Sequence, residues 1–138
     1  MAEFGEQRSY GWCVARAREL LSDMDSGRYR WRDEELLRWI SQGIEALASI
    51  RPASRYLGLK LVRREYPEIP DVADVSDETA YANAIRSFAA EPLLVDPRWH
   101  NALVEYCCYK AFTMDQADAG NLALAQKHYR QFLEEAQK

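Results

Sequence analysis

The last third of the chain constrains the fold most, because Asp96 to Lys138 is written as two helices with a connection too short for anything but an antiparallel return. After Asp96 and Pro97, apolar residues recur every three or four positions, at Trp99, Leu103, Tyr106, Cys107, Ala111 and Met114. That is the period of one buried helix face. Proline suits the first helical position, since the N–H it lacks would be unpaired there, and the preceding Asp can cap free amides. The pattern lapses from Asp115 to Asp118. It resumes as Leu122, Ala125, Tyr129, Phe132, Leu133 and Ala136, with Gln126, Lys127, Arg130, Glu134 and Glu135 between them. The two stripes should face one another, with Trp99, Leu103, Tyr106, Cys107, Tyr129, Phe132 and Leu133 forming the core of the hairpin.

The rest of the chain supplies a second helical pair. Met1 to Ser9 is polar and reads as an arm (1–9). Trp12, Val14, Ala17, Leu20, Leu21 and Met24 then make a stripe, with Arg16, Arg18, Glu19 and Asp23 on the other side, until Asp25, Ser26 and Gly27 supply turn chemistry. A further helix should begin near Asp33 as N-cap, with Glu34 and Glu35 suiting the helix dipole in the first turn. It buries Leu36, Leu37, Ile40, Ile44, Leu47 and Ala48 and stops at Pro52. Gly43, in mid-helix at about 1 kcal/mol relative to Ala, makes sense where another backbone approaches closely.

Residues 53–94 are the least regular. Leu57, Leu59 and Leu61 alternate as in a strand but also fit a helix, and Tyr66 to Glu78 is rich in proline and acidic residues. Ser76 could cap a short helix through Tyr81, Ile85, Phe88 and Ala89, closed by Pro92. The reading is a single all-α domain over 1–138: a small bundle of about four main helices, as two pairs, with an irregular middle section carrying short strands or a short helix.

At 138 residues, 48% of them hydrophobic and 12% aromatic, the chain is long enough for one modest core. A formal charge of −4 argues against a protein whose main task is wrapping DNA. The three cysteines do not suggest a disulfide framework. Cys107 and Cys108 are neighbours whose side chains diverge by about 100° on a helix, so buried thiols in a reducing compartment are expected. No apolar run approaches a membrane span, and the N-terminus lacks a signal-peptide core, so a soluble chain made in the cytoplasm is expected. His100, Cys107, Cys108 and His128 are the soft metal-ligand candidates, but no C-x-x-C or H-x-x-x-H spacing joins them. With no nucleophile elbow and no glycine-rich phosphate loop, neither an enzyme nor a cofactor is expected.

The order of residues in this hairpin also carries a resemblance. The helix that opens after Pro97 carries Leu103, Val104 and Tyr106, then Tyr109, Lys110 and Ala111. An Asp-rich turn follows at Asp115 and Asp118, then Asn121 and an alanine-rich helix ending in His128, Tyr129 and Phe132. This resembles the C-terminal signature of the head-to-tail adaptor (connector) proteins of tailed bacteriophages. Trp31, Asp33, Glu35, Leu36, Leu37, Trp39 and Ile40 resemble the Trp-led helix start near the N-terminus of that family. The resemblance covers about half the chain, as residue types at ordered spacings with no catalytic fingerprint. It implies a structural virion protein of the head-tail neck, assembled as a homododecamer beneath the portal protein and above a downstream tail or nozzle protein. DNA would be only transient cargo through the lumen. The sequence ends right after the last helix, whereas several members carry a C-terminal extension that docks on the portal. The N-terminal arm, residues 53–94 and the last helical turn are all candidates for that contact.

Two basic clusters stand out in an acidic chain: Arg28, Arg30 and Arg32, and Arg51, Arg55, Lys60, Arg63 and Arg64. They are either a solvated face, or partners for acidic groups on a neighbouring subunit or ring, or contacts to passing DNA. The last is weakest, because a conduit should not grip its cargo. If either cluster lies at an interface, reversing two arginines to Glu should abolish assembly and leave helical circular dichroism intact. Four tryptophans and eight tyrosines are many for so small a core, and some should anchor partners. The alternative function is a tetratricopeptide-like hairpin binding a peptide in the bacterial cytoplasm, against which stands the lack of any repeat near 34 residues.

Overall fold

The protein is described by a computed structural model at residues 8–25, 27, 29–57, 60–61, 78–93, 95–115 and 120–138, with the backbone alone at 53, 55–57, 60, 61 and 78. It is an all-α bundle. Among the described residues five α-helices follow in order: α1 (Tyr10–Leu21), α2 (Asp33–Ile50), α3 (Glu78–Ala90), α4 (His100–Met114) and α5 (Gly120–Ala136). A 3₁₀ turn (Pro52–Arg55) and a minimal antiparallel ladder, Tyr56–Leu57 with Lys60–Leu61, follow α2. The helix expected to be short in the middle section is thirteen residues long. It makes a full fifth member of the bundle.

Ser9 caps α1, its hydroxyl accepting from the Trp12 N–H at 3.1 Å. At the other end Ser22 takes the left-handed conformation (φ 54°), and its N–H and that of Asp23 return to the carbonyls of Glu19 and Arg18. This closure normally favours glycine, and with serine there the helix ends a few residues before the turn residues Asp25, Ser26 and Gly27 that sequence suggested. The buried face is also rotated from the expected stripe. Tyr10, Cys13, Val14, Ala17, Arg18 and Leu21 are inside, while Leu20 and Met24 are exposed. Arg18 and Asp23, expected on the solvent side, are buried as an ion pair, which hydropathy alone cannot register.

The N-cap of α2 is Arg32 rather than Asp33, with the Glu35 carboxylate accepting from the Arg32 N–H at 3.0 Å. Gly43 is needed for close approach, but to a side chain rather than a backbone: a Cβ there would meet the Tyr106 ring at 3.1 Å. Pro97–Trp99 forms a 3₁₀ turn leading into α4, and the Asp96 carboxylate accepts from the Arg98 N–H at 2.9 Å.

Helix α4 is central, with α1 and α2 on it and α5 returning antiparallel along it. Trp12 meets His100 and Ala17 meets Cys108, so α1 runs parallel to α4. Trp31, just before α2, meets Phe112 late in α4, while Ser54, just after α2, accepts from the Asp96 N–H before α4. Helix α2 is therefore antiparallel to α4. Helix α3 packs on α1 and α2. It is tied there by Tyr10 edge-on to Phe88 at 5.0 Å and by backbone bonds from Tyr10 to Glu91 and from Leu93 to Arg8.

Candidate functional site

With no chemistry-bearing fingerprint in the sequence, the candidate sites are surfaces, and the two basic clusters come first. Arg30 pairs with Asp115 and lies over the Trp31 ring, bracing the α1–α2 connection against the end of α4. Arg32 pairs with Glu34 at 3.0 Å. The guanidinium of Arg51 reaches across the molecule: Nε donates to the Ala136 carbonyl at 2.8 Å, and Nη2 donates to the Gln137 carbonyl at 3.0 Å. A cation on the last carbonyls of α5 satisfies acceptors the helix cannot and opposes its dipole. Each of the three therefore has a partner within its own chain. Of the others, Arg55 and Lys60 are described by backbone only, and Arg28, Arg63 and Arg64 lie outside the described residues.

The charged cluster that sequence reasoning missed is internal. Arg18, 4% exposed, donates to Asp23 at 2.7 Å and to Asp33 at 2.6 Å, with the Tyr29 ring stacked 3.4 Å from its carbon. Asp23 also accepts the backbone N–H groups of Arg30 and Trp31, at 2.9 and 3.2 Å. One carboxylate thus pins the connection between α1 and α2. The spacing signal was absent, since Arg18 and Asp23 are five apart and meet only because the helix stops between them.

In the hairpin, Trp99, Leu103, Cys107 and Phe132 are buried, and Tyr106 and Leu133 are partly buried. Tyr129 differs from the expectation: it is 38% exposed, packed against Tyr109 at 4.8 Å and standing at the rim rather than in the core. The reason is helical phase. The stripe of α5 that meets α4 is Asn121, Ala125, His128, Phe132 and Ala136, which keeps Ala125, Phe132 and Ala136 of the apolar pattern and puts Asn121 and His128 in place of Leu122 and Tyr129. Two polar residues lie within it because α4 offers them partners. Asn121 donates to the Asp115 carbonyl and carboxylate, both at 3.0 Å, and His128 Nδ1 donates to Glu105 at 2.6 Å while its ring stacks on Phe112. The displaced residues Leu122, Gln126, Tyr129 and Leu133 form a second stripe beside the first, with Leu122 65% exposed. Met114, also expected inside, is 58% exposed at the end of α4.

A cleft of about 480 Å³ opens between α1, α2 and α3. Val14, Leu37, Ile85 and Ala89 line it with apolar surface, and Arg32, Asp33, Glu34 and Arg86 with charge. Its size lies within the range of about 300–1,000 Å³ usual for binding sites. Sequence patterning had no means of showing it, because it is bounded by a helix of uncertain length packed across two others.

The thiols are chemically quiet. Burial holds Cys13 and Cys107 well above the usual thiol range and pushes Cys108 up to about 12. Thiolate, the reactive form, is therefore scarce at neutral pH. His100 is pushed down to about 4, chiefly by burial and secondarily by Arg8, against the raising effect of its bond to the Val95 carbonyl at 3.2 Å. Among the described residues, no group of three or more His, Cys, Asp or Glu is arranged to hold a metal ion, and no helix is long and apolar enough to cross a membrane.

Comparisons of the chain with protein-family models, with curated proteins and with solved structures find no match.

Proposed function

We propose that this chain is the repeating subunit of a head-to-tail adaptor ring in the neck of a tailed bacteriophage, between the portal protein and a downstream tail or nozzle protein. The family-like order of residues in Asp96 to Phe132 supports it. The observation that carries it is the uncovered second stripe of α5, which leaves Leu122 and Tyr129 facing water on the hairpin that bears the resemblance. A subunit built to stand alone gains nothing from that stripe; one that meets copies of itself buries it. Its mechanism is geometric. Identical head-to-tail contacts repeat until a ring closes around a lumen for DNA, and twelve copies would match the portal.

The test is native mass spectrometry of the chain alone and with the portal protein of the same phage. A closed ring alone, or multiple copies bound per portal ring, supports the adaptor. A chain that stays monomeric in both, and takes up a peptide instead, supports the tetratricopeptide-like alternative, with the α1–α2–α3 cleft as the place to look for the peptide.

A further inference from the structure

We propose that the α1–α2–α3 cleft binds a short peptide with free ends, holding its ammonium group at Asp33, its carboxylate at Arg86 and an apolar side chain between them. This goes beyond the adaptor reading and does not rest on it, since the cleft belongs to a single copy of the chain.

The charges around the cleft point to such a ligand. Its lining balances in sum, with Arg32 and Arg86 against Asp33 and Glu34, but the balance is not made pair by pair. Arg32 and Glu34 satisfy each other at 3.0 Å. Asp33 shares Arg18 with Asp23, so that group carries one carboxylate too many, and the Asp33 side chain is 49% exposed with only its Oδ1 engaged among the described residues. On α3, Arg86 donates to the neutral Asn83 side chain at 2.9 Å and meets no carboxylate among the described residues. One unanswered negative charge thus stands on α2 and one unanswered positive charge on α3. A ligand with a single charge would answer only one of them; a neutral ligand with separated charges answers both.

The Tyr81 hydroxyl is a separate observation. Tyr81 lines the cleft, and its hydroxyl oxygen is buried without a hydrogen-bond partner. Buried hydroxyls are normally paired, and a peptide group in the cleft supplies the missing carbonyl or N–H. Val14, Leu37 and Ile85 add an apolar wall for a side chain. Reach separates a peptide from a free amino acid. The ammonium and carboxylate of an amino acid sit on one carbon, whereas packed helices such as those bearing Asp33 and Arg86 lie about 8–10 Å apart, axis to axis. At roughly 3.3–3.6 Å per residue, about two or three residues bridge that span. Capture of chain ends through their terminal charges is a recurring mode of peptide recognition.

NMR titration of the full chain with the tripeptide Ala-Leu-Ala tests this, using its free-ended, N-acetylated and C-amidated forms. The free-ended peptide should shift the Val14 and Ile85 methyl signals, and either cap should weaken binding at least about tenfold. In Arg86→Gln, at an exposed position where the fold is kept, the amidated and free-ended peptides should bind alike. In Asp33→Asn the acetylated and free-ended peptides should bind alike. Tyr81→Phe should weaken the free-ended peptide and leave its sensitivity to both caps in place. No shift at millimolar free-ended peptide would overturn the proposal, and so would binding that ignores either cap, or cap sensitivity that survives both Arg86→Gln and Asp33→Asn. The portal protein is absent throughout, so failure here leaves the ring reading standing; a chain that binds the peptide and ignores the portal keeps this site and removes the ring.

Discussion

The two helical pairs of this bundle reach similar shapes by different chemistry. Helices α4 and α5 are separated by only a few residues and held by stacked rings, with Tyr106 against Phe132 at 5.1 Å, Tyr109 against Tyr129 and His128 flat on Phe112. Helices α1 and α2 are joined by a longer connection and fastened by one buried charge group, Arg18 with Asp23 and Asp33. The difference follows from chain entropy. A short antiparallel return is closed by its own geometry, whereas a longer connection needs a specific pin for its backbone N–H groups. It also shows where contacts can form: the ring-stacked pair leaves one edge of α5 open, at Leu122 and Tyr129.

The sharpest way to break the contrast is Asp23→Ala. It leaves a buried guanidinium with Asp33 alone and takes the acceptor from two backbone N–H groups, and should cost about 3–5 kcal/mol in urea unfolding. Asp33→Ala should cost much less, since its carboxylate is half-exposed. Within the hairpin, Phe132→Ala should cost about 3 kcal/mol or somewhat more, whereas Leu122→Ala, on the open ridge, should stay within about 0.5 kcal/mol. Equal losses at Phe132 and Leu122 would erase the distinction between the two stripes.

Acid probes the seam where the pairs meet, at His100 against Trp12. Its folded pKa, about 4, lies below the ordinary value of 6.5, so between these values the unfolded chain binds a proton that the folded one refuses. Its stability contribution is therefore full above about pH 6.5 and is lost as pH falls toward 4, by on the order of 2 kcal/mol. Unfolding midpoints measured from pH 7 to pH 5 should fall for the native chain and fall less for His100→Gln. A small effect of the opposite sign is at the end of α1, where Ser22→Gly should raise stability by about 0.5–1 kcal/mol by relieving the left-handed backbone. A loss would mean that the Ser22 side chain matters more than its φ.

Much of the architecture could be read from residue order, and the parts that could not share a cause. Helix α2 and the hairpin were legible because Leu36, Ile40, Leu47, Leu103 and Phe132 repeat at helical period and are buried where the period puts them. The faces of α1 and α5 were read correctly at Val14, Ala17, Leu21, Ala125, Phe132 and Ala136 and wrongly at Leu20, Met24, Leu122 and Tyr129, since each helix buries polar groups, Arg18 in one and Asn121 and His128 in the other, that hydropathy assigns to solvent. Their partners Asp23, Asp115 and Glu105 are brought to them only by the finished bundle. Arg51 was legible as a cation but not as the group that holds the end of α5, which is 85 residues away in sequence. The α1–α2–α3 cleft belongs to no single segment, so no stretch of sequence announces it.

The most direct measurement is hydroxyl-radical footprinting of Tyr129 and Leu122 in the free chain and in the assembly formed with the portal protein. Both side chains are open in the isolated bundle, and the account predicts strong protection of both on assembly, with Met24 as an internal reference. If Tyr129 and Leu122 oxidise as readily in the finished particle as in the free chain, the open edge of α5 is not an assembly surface and the account is wrong.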